Sequence, residues 1–357
     1  MSGTYAHAPR PPATVPAATL PARLTAVLGP DAVPPPLLML LGMVSTQVGA
    51  AVAKQLFTTT SPGGTTALRL CFGALVLLAL ARPSLRLGLR TAGAVAAFGV
   101  AMAAMNLAFY AALERVPLGV AVTIGFTGPL LVSLATSRRL RDLAWVVLAG
   151  AGVALLAGAL PTGARDGGVP ALDGTSLLLC GVIALGWGGY VLLGKAVSTR
   201  LGGGRGLALG MAVGALCVLP FGVVDSGTAL LDPWTLALGL GVALLSSVLP
   251  YSAEMAALRR MPARVFAVLL SLEPAVAAMI GLALLHETLG WAQLLGITCV
   301  VGASLGAVSS RRPPGAGGHS RPASRRASVP FATPRPQDPG DQGATPTTRR
   351  RHARTAP

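Results

Sequence analysis

Charge is what this 357-residue sequence has least of. Only 11% of its residues are Asp, Glu, Lys or Arg, against roughly a quarter in an ordinary soluble domain. Aromatic residues make up 4%, and there are four cysteines and four histidines. A sparse charge set beside 53% hydrophobic residues argues against a soluble enzyme or a free nucleic-acid-binding protein. Cys71, Cys180, Cys217 and Cys299 are far apart in apolar stretches and form no CxxC, so they read as small packing residues. His286-Glu287 has no second histidine at HExxH spacing, and no GxxxxGK[ST] loop occurs. Neither a metal, another cofactor, an enzymatic centre nor direct ATP coupling is therefore expected.

What the sequence has in abundance is long apolar runs. Crossing the hydrocarbon core of a bilayer takes about 20 mainly apolar residues in a helix. Such runs recur at about 37–57, 64–81, 91–113, 117–136, 143–160, 175–194, 206–224, 234–257, 262–285 and 291–308. They are too continuous for the alternating strands of a membrane barrel. Only helices and closed barrels satisfy the backbone in lipid. The fold class expected is an all-α polytopic membrane protein with ten transmembrane helices. Residues 1–36 and 309–357 hold nine prolines each of the 29 and few apolar side chains, so both read as disordered tails. No basic start followed by a short apolar core is evident in the first, so a cleaved signal peptide is not expected.

The net charge of +16 has a pattern. Twelve basic residues fall in the even-numbered gaps: Arg82, Arg86, Arg90; Arg138, Arg139, Arg141; Lys195, Arg200, Arg205; Arg259, Arg260, Arg264. The odd gaps hold only Arg115 and Arg165, together with most of the loop acids. Another twelve basic residues lie in the tails, ten of them after residue 308. By the positive-inside rule, both termini and the even gaps are cytoplasmic. The charge then serves topology and contact with lipid headgroups. No nucleic-acid partner is implied.

A shift of 145 residues aligns Ala108, Ala111, Ala112, Leu113, Arg115, Pro117, Val120 and Pro129 with identical residues at 253, 256, 257, 258, 260, 262, 265 and 274. Asp142 meets Glu287 at the same offset. Two halves of five helices each, 37–160 and 175–308, would enter the membrane with opposite polarity because five is odd. Inverted-topology repeats of this kind are typical of secondary transporters, whose site lies near the midplane between the halves.

Several segments resemble a pair of EamA domains of the drug/metabolite transporter superfamily: QVGAAVAKQLF (47–57), GTTALRL (64–70), VPLGVAVTIGFTGPL (116–130), SRR (137–139), LPYSAEMAALRRMP (249–262), SLEPAVAAMIG (271–281) and ETL (287–289). The resemblance covers about 37–308. It implies a secondary active exporter in the plasma membrane, working by alternating access with protons as coupling ion. The similarity is to members that export small amino acids such as threonine and homoserine. Export of another metabolite or drug stays open, as do a homodimer and a non-transporting scaffold with a basic tail, because a fold does not determine its cargo.

A charge at the bilayer centre costs about 2.5–3.5 kcal/mol on insertion scales, so each intramembrane polar residue is a candidate for the substrate or proton pathway. Glu273 falls eleven residues into the ninth span, about 16 Å along a helix and near midplane. It reads as a proton carrier or amine-binding group, or else as a structural acid paired with Arg69. Arg69, two turns inside the second span, reads as a carboxylate ligand or as that partner. Lys54 lies near the outer end of the first span, where its stem can snorkel to water, and Gln47 is seven residues earlier on the same face. Tyr251 and Glu254 share a face of the eighth span, with an inner gate and pairing to Arg259 or Arg260 as alternatives. Asn106 with Tyr110, Thr123 with Thr127, and Trp187 with Tyr190 are helical pairs that either line a cavity or bond between helices. Pro129 and Pro274 are expected to weaken two helices at matching depths. Glu287 is expected to stabilise the start of the last helix.

Overall fold

The computed structural model describes residues 33–135, 142–158 and 172–309. Both tails, the basic gap holding Arg138, Arg139 and Arg141, and the segment with Arg165 lie outside the described residues. Within them the chain is helical: α1 (Pro35–Leu56), α2 (Pro62–Ala81), α3 (Leu89–Leu113), α4 (Leu118–Ala135), α5 (Asp142–Leu156), α6 (Gly174–Leu201) and α7 (Gly203–Ser226). A 3-10 turn (Gly227–Leu231) leads to α8 (Pro233–Ala243), a π-helical turn (Leu244–Val248) and α9 (Leu249–Arg260). The chain ends with α10 (Ala263–Leu270), α11 (Glu273–Leu285) and α12 (Trp291–Ser309).

Local chemistry sets the helix starts. Pro35, Pro62 and Pro233 stand in first turns, where a missing N–H costs no helical bond. Ser61, Asp173 and Asp232 accept from the backbone N–H of Gly64, Ser176 and Thr235, three residues on. Among the described residues nine helical rods are long and apolar enough to cross a membrane, counting Pro233–Glu254 and Val265–Leu285 as one each. The shorter helix Leu143–Leu156 is also apolar. It spans about 22 Å of the ~30 Å hydrocarbon layer, and the expected continuation to 160 is not described. Large apolar side chains such as Leu185, Leu216 and Val224 point outward. On a soluble protein they would be an aggregation hazard; in a bilayer they meet their solvent.

Helices of the first half pack on those of the second. Helix α2 lies against α7, α3 against α6 and α7, α4 against α6 and α11, α5 against α12, and α1 against α9 and α11.

Two rods of the second half are interrupted. The π turn separates α8 from α9, and residues 271–272 separate α10 from α11, just before Glu273-Pro274. The expected matching weak point at Pro129 is not a break. Helix α4 runs through it, enclosed by α6 and α11 and buried over most of its length. Proline removes one donor there, but the enclosing helices hold the rod continuous.

Candidate functional site

The centre of the site is Arg69 on α2, only 9% exposed. Its Nη1 donates to Asn106 Oδ1 and its Nη2 to the Ser246 carbonyl, at 2.5 and 3.1 Å. The guanidinium carbon lies 5.6 Å from the centroid of the Tyr110 ring, a cation–π arrangement. Asn106 and Tyr110, one helical turn apart on α3, therefore serve the same cation. Asn106 is itself oriented by donating from Nδ2 to the Met102 carbonyl at 2.8 Å.

The π turn explains the Ser246 contact. Widening the helix by one residue takes carbonyls out of the regular i→i+4 ladder, and such turns cluster at functional sites. Ser45 Oγ donates to the Leu245 carbonyl at 2.7 Å, next to the Arg69 bond at Ser246. A Cβ at Gly49 would collide with Ser246, so a glycine on α1 lets the widened turn fit.

Glu273, 7% exposed, opens α11 immediately after the helix break. Its Oε1 accepts from Gln47 Nε2 at 3.4 Å. The expected pairing with Arg69 does not form: Arg69 is occupied by Asn106 and Ser246, and Glu273 by α1. Tyr190 and Tyr251 are neighbours, within electrostatic reach of Arg69 and Glu254, and Glu254 is within reach of Glu273. Among the described residues no ion pair joins Glu254 to Arg260, whose side chain is exposed. The side chain of Arg259 is not described.

Gln47 Oε1, Arg69 Nε, Tyr110 Oη, Ser246 Oγ and Ser247 Oγ are buried without a hydrogen-bond partner among the described residues; a sixth such atom, Ser304 Oγ, belongs to α12. Unpaired buried polar atoms are costly, and three of these belong to Arg69 and to Ser246 and Tyr110, which contact it.

The two remaining helical pairs turn to their own helix or to different neighbours. Thr123 and Thr127 donate to the carbonyls of Gly119 and Ile124 on their own helix, so neither presents a free hydroxyl proton to a cavity. Trp187 stacks edge-on with Phe126 of α4 at 5.7 Å, whereas Tyr190 meets Phe98 of α3 at 5.1 Å. The pair is divided between two neighbours.

Lys54 does not end in water alone. Its Nζ is 2.7 Å from Glu287 Oε1, with side chains 28% and 11% exposed. Glu287 Oε2 accepts from the backbone N–H of Leu118 at 2.8 Å. The acid therefore caps α4, not the last helix; Gly290 at the head of α12 is instead served by Gln293 Oε1. The placement follows from the end of α11. His286 takes φ 53°, in the left-handed region, and Glu287 N–H returns to the Gly281 carbonyl at 3.1 Å. The carboxylate then passes over Gly281, where a Cβ would touch it. One residue thus ties α1, α4 and the α11–α12 connection at a single end of the bundle. Arg115 and Asp173 form an exposed ion pair at 3.5 Å that joins the α3–α4 connection to the head of α6.

Nothing in the sequence marks Ser45, Ser246 or Ser247 as site residues, because their roles depend on a widened turn with no composition signature.

Stacked apolar rods, two of them broken beside buried ionic side chains, define a multi-pass membrane transporter. The EamA-like transporter family matches residues 174–309. Over 282 residues the chain is 42% identical to the threonine/homoserine exporter RhtA of Salmonella typhimurium (strain LT2), covering 78% of this chain and 93% of that protein. It is likewise 42% identical over 279 residues to the threonine/homoserine exporter RhtA of Escherichia coli (strain K12), covering 78% and 92%. The chain belongs to the EamA-like transporter family and is an exporter of that type.

Proposed function

We propose that this protein exports small amino acids, threonine and homoserine foremost, in exchange for protons. The observation that carries the reading is a buried guanidinium with a free Nε, fixed by Asn106 and Ser246, in the same polar cluster as the acid Glu273. An amino acid is a zwitterion, and such a cluster offers a cation for its carboxylate and an acid for its ammonium. Glu273 then either holds the ammonium or carries the proton, so that the two compete for one group. Tyr251, Glu254, Tyr190, Gln47 and Tyr110 line the same route. The relatives named as threonine/homoserine exporters support the choice of cargo.

Alternating access follows from two halves, 37–160 and 175–308, as inverted repeats. The helix pairing supports this. Exchanging each rod of one half for its counterpart in the other carries the α3–α6 contact onto α1–α9, and the α4–α6 contact onto α1–α11. The α2–α7, α4–α11 and α5–α12 contacts map onto themselves. The basic even gaps support cytoplasmic termini, and with that orientation the Lys54–Glu287 end is the outer face.

The test is counterflow of labelled threonine and homoserine in proteoliposomes, with and without a pH gradient. The wild type is expected to concentrate label when the gradient is imposed. Glu273→Gln is expected to abolish gradient-driven transport while folding normally. Gradient-driven transport at the wild-type rate by that variant removes Glu273 from coupling, and indifference of the wild type to both amino acids removes the cargo.

A further inference from the structure

The two serines of the π turn differ from most described hydroxyl residues of these helices, and share their unpartnered state with Ser304 of α12. Thr46, Thr66, Thr123, Ser252, Ser271 and Thr298 each donate to the carbonyl four residues back. That local bond is the ordinary fate of a hydroxyl in an apolar helix. Ser246 and Ser247 make no such bond, although they are 4% and 0% exposed. They are also consecutive. Adjacent residues diverge on a helix, and the two hydroxyls accordingly face different neighbours, Ser246 Oγ towards Gly49 of α1 and Ser247 Oγ towards Gly73 of α2. Ser246 is tied to the site through its own carbonyl, which accepts from Arg69. Ser247 lies beside α2, at van der Waals distance from the position a Cβ on Gly73 would take.

We infer that Ser246 and Ser247 read the side-chain hydroxyl of the transported amino acid while Arg69 holds its carboxylate. This deepens the exporter reading and rests on it. A serine hydroxyl donates one hydrogen bond and accepts two, so it complements another hydroxyl in either sense. A methyl group in the same place leaves both serines unpartnered, which is how a polar site rejects an apolar isostere. The cargo class selected is therefore short amino acids with a hydroxyl on the side chain. Valine is the isostere rejected against threonine, and norvaline the one rejected against homoserine.

Two measurements test this on the full chain. In the first, the detergent-solubilised wild type is melted with threonine, homoserine, valine or norvaline. The hydroxylated pair should raise Tm at concentrations about tenfold lower than the aliphatic pair. Equal stabilisation by threonine and valine overturns the inference without any variant having to fold. In the second, Ser246→Ala, Ser247→Ala and the double variant are reconstituted for counterflow. The preference for threonine over valine should fall about tenfold in each single variant through KM, with valine transport retained. Wild-type selectivity in the double variant, where the wild type itself moves threonine, overturns this inference alone. A wild type that moves neither threonine nor homoserine overturns it together with the exporter reading.

Discussion

Replacing Glu287 should loosen the end of the bundle that it ties together, by an amount the geometry allows to be divided. The carboxylate makes two contacts: the ion pair with Lys54 at 2.7 Å and the bond from Leu118 N–H at 2.8 Å. A hydrogen bond to a charged group contributes about 1.5–3 kcal/mol. The ion pair is partly exposed, and screening holds its share to about 1 kcal/mol. Glu287→Ala loses both and leaves the Leu118 N–H without an acceptor at a fully buried residue, for about 2.5–4 kcal/mol in all. Glu287→Gln retains an oxygen for Leu118 and loses the charge, for about 1–2 kcal/mol. Lys54→Met removes the ion pair from the other side. Thermal unfolding in one detergent is a suitable assay, at about 2 °C or somewhat less per kcal/mol for a chain longer than about 250 residues. Combining Lys54→Met with Glu287→Gln should be less damaging than the sum of the two, because both remove the same ion pair. The decisive comparison is alanine against glutamine. If Glu287→Ala melts no lower than Glu287→Gln, the carboxylate is not the cap of α4 and the reasoning fails.

Gly281→Ala should act through the same carboxylate. In the wild type the new Cβ displaces Glu287 and lowers Tm, whereas in the Glu287→Ala background the better helix propensity of alanine should raise stability by up to about 1 kcal/mol. The same sign in both backgrounds refutes the contact. At the head of α6, bonding to Ser176 holds the Asp173 carboxyl below its ordinary range, with a smaller contribution from Arg115. A depressed value means that the cap contributes above the ordinary carboxylate range and is lost as pH falls through the lowered one. Hydrogen exchange at the first amides of α6 should therefore rise in acid relative to Asp173→Asn at the same pH, and parallel profiles for the two proteins refute it.

How much of the site could be read in advance depended on the range of each interaction. Asn106 and Tyr110 were legible as a pair because one helical turn brings them together, and both converge on Arg69. Proline marked two candidate weak points, but only the rod with Pro274 is interrupted; the enclosure of Pro129 by neighbouring helices was not legible locally. Gln47 and Glu273 are 226 residues apart, Lys54 and Glu287 are 233 apart, and no local pattern links either pair. Trp187 and Tyr190 share a helix but turn to different neighbours, which only the placing of α3 and α4 on either side of α6 decides.

The sequence by itself determined the medium and the elements. Apolar runs of bilayer length, sparse charge and the turn residues between them leave the backbone no solution but stacked helices in lipid. Tertiary structure alone decided which polar groups would meet. Helices so uniformly apolar have no strongly directional face, so the positions of small residues and the widened turn set their rotation against one another. That rotation gave Arg69 to Asn106 and Ser246 rather than to Glu273, and gave Glu287 to α4 rather than to its own helix.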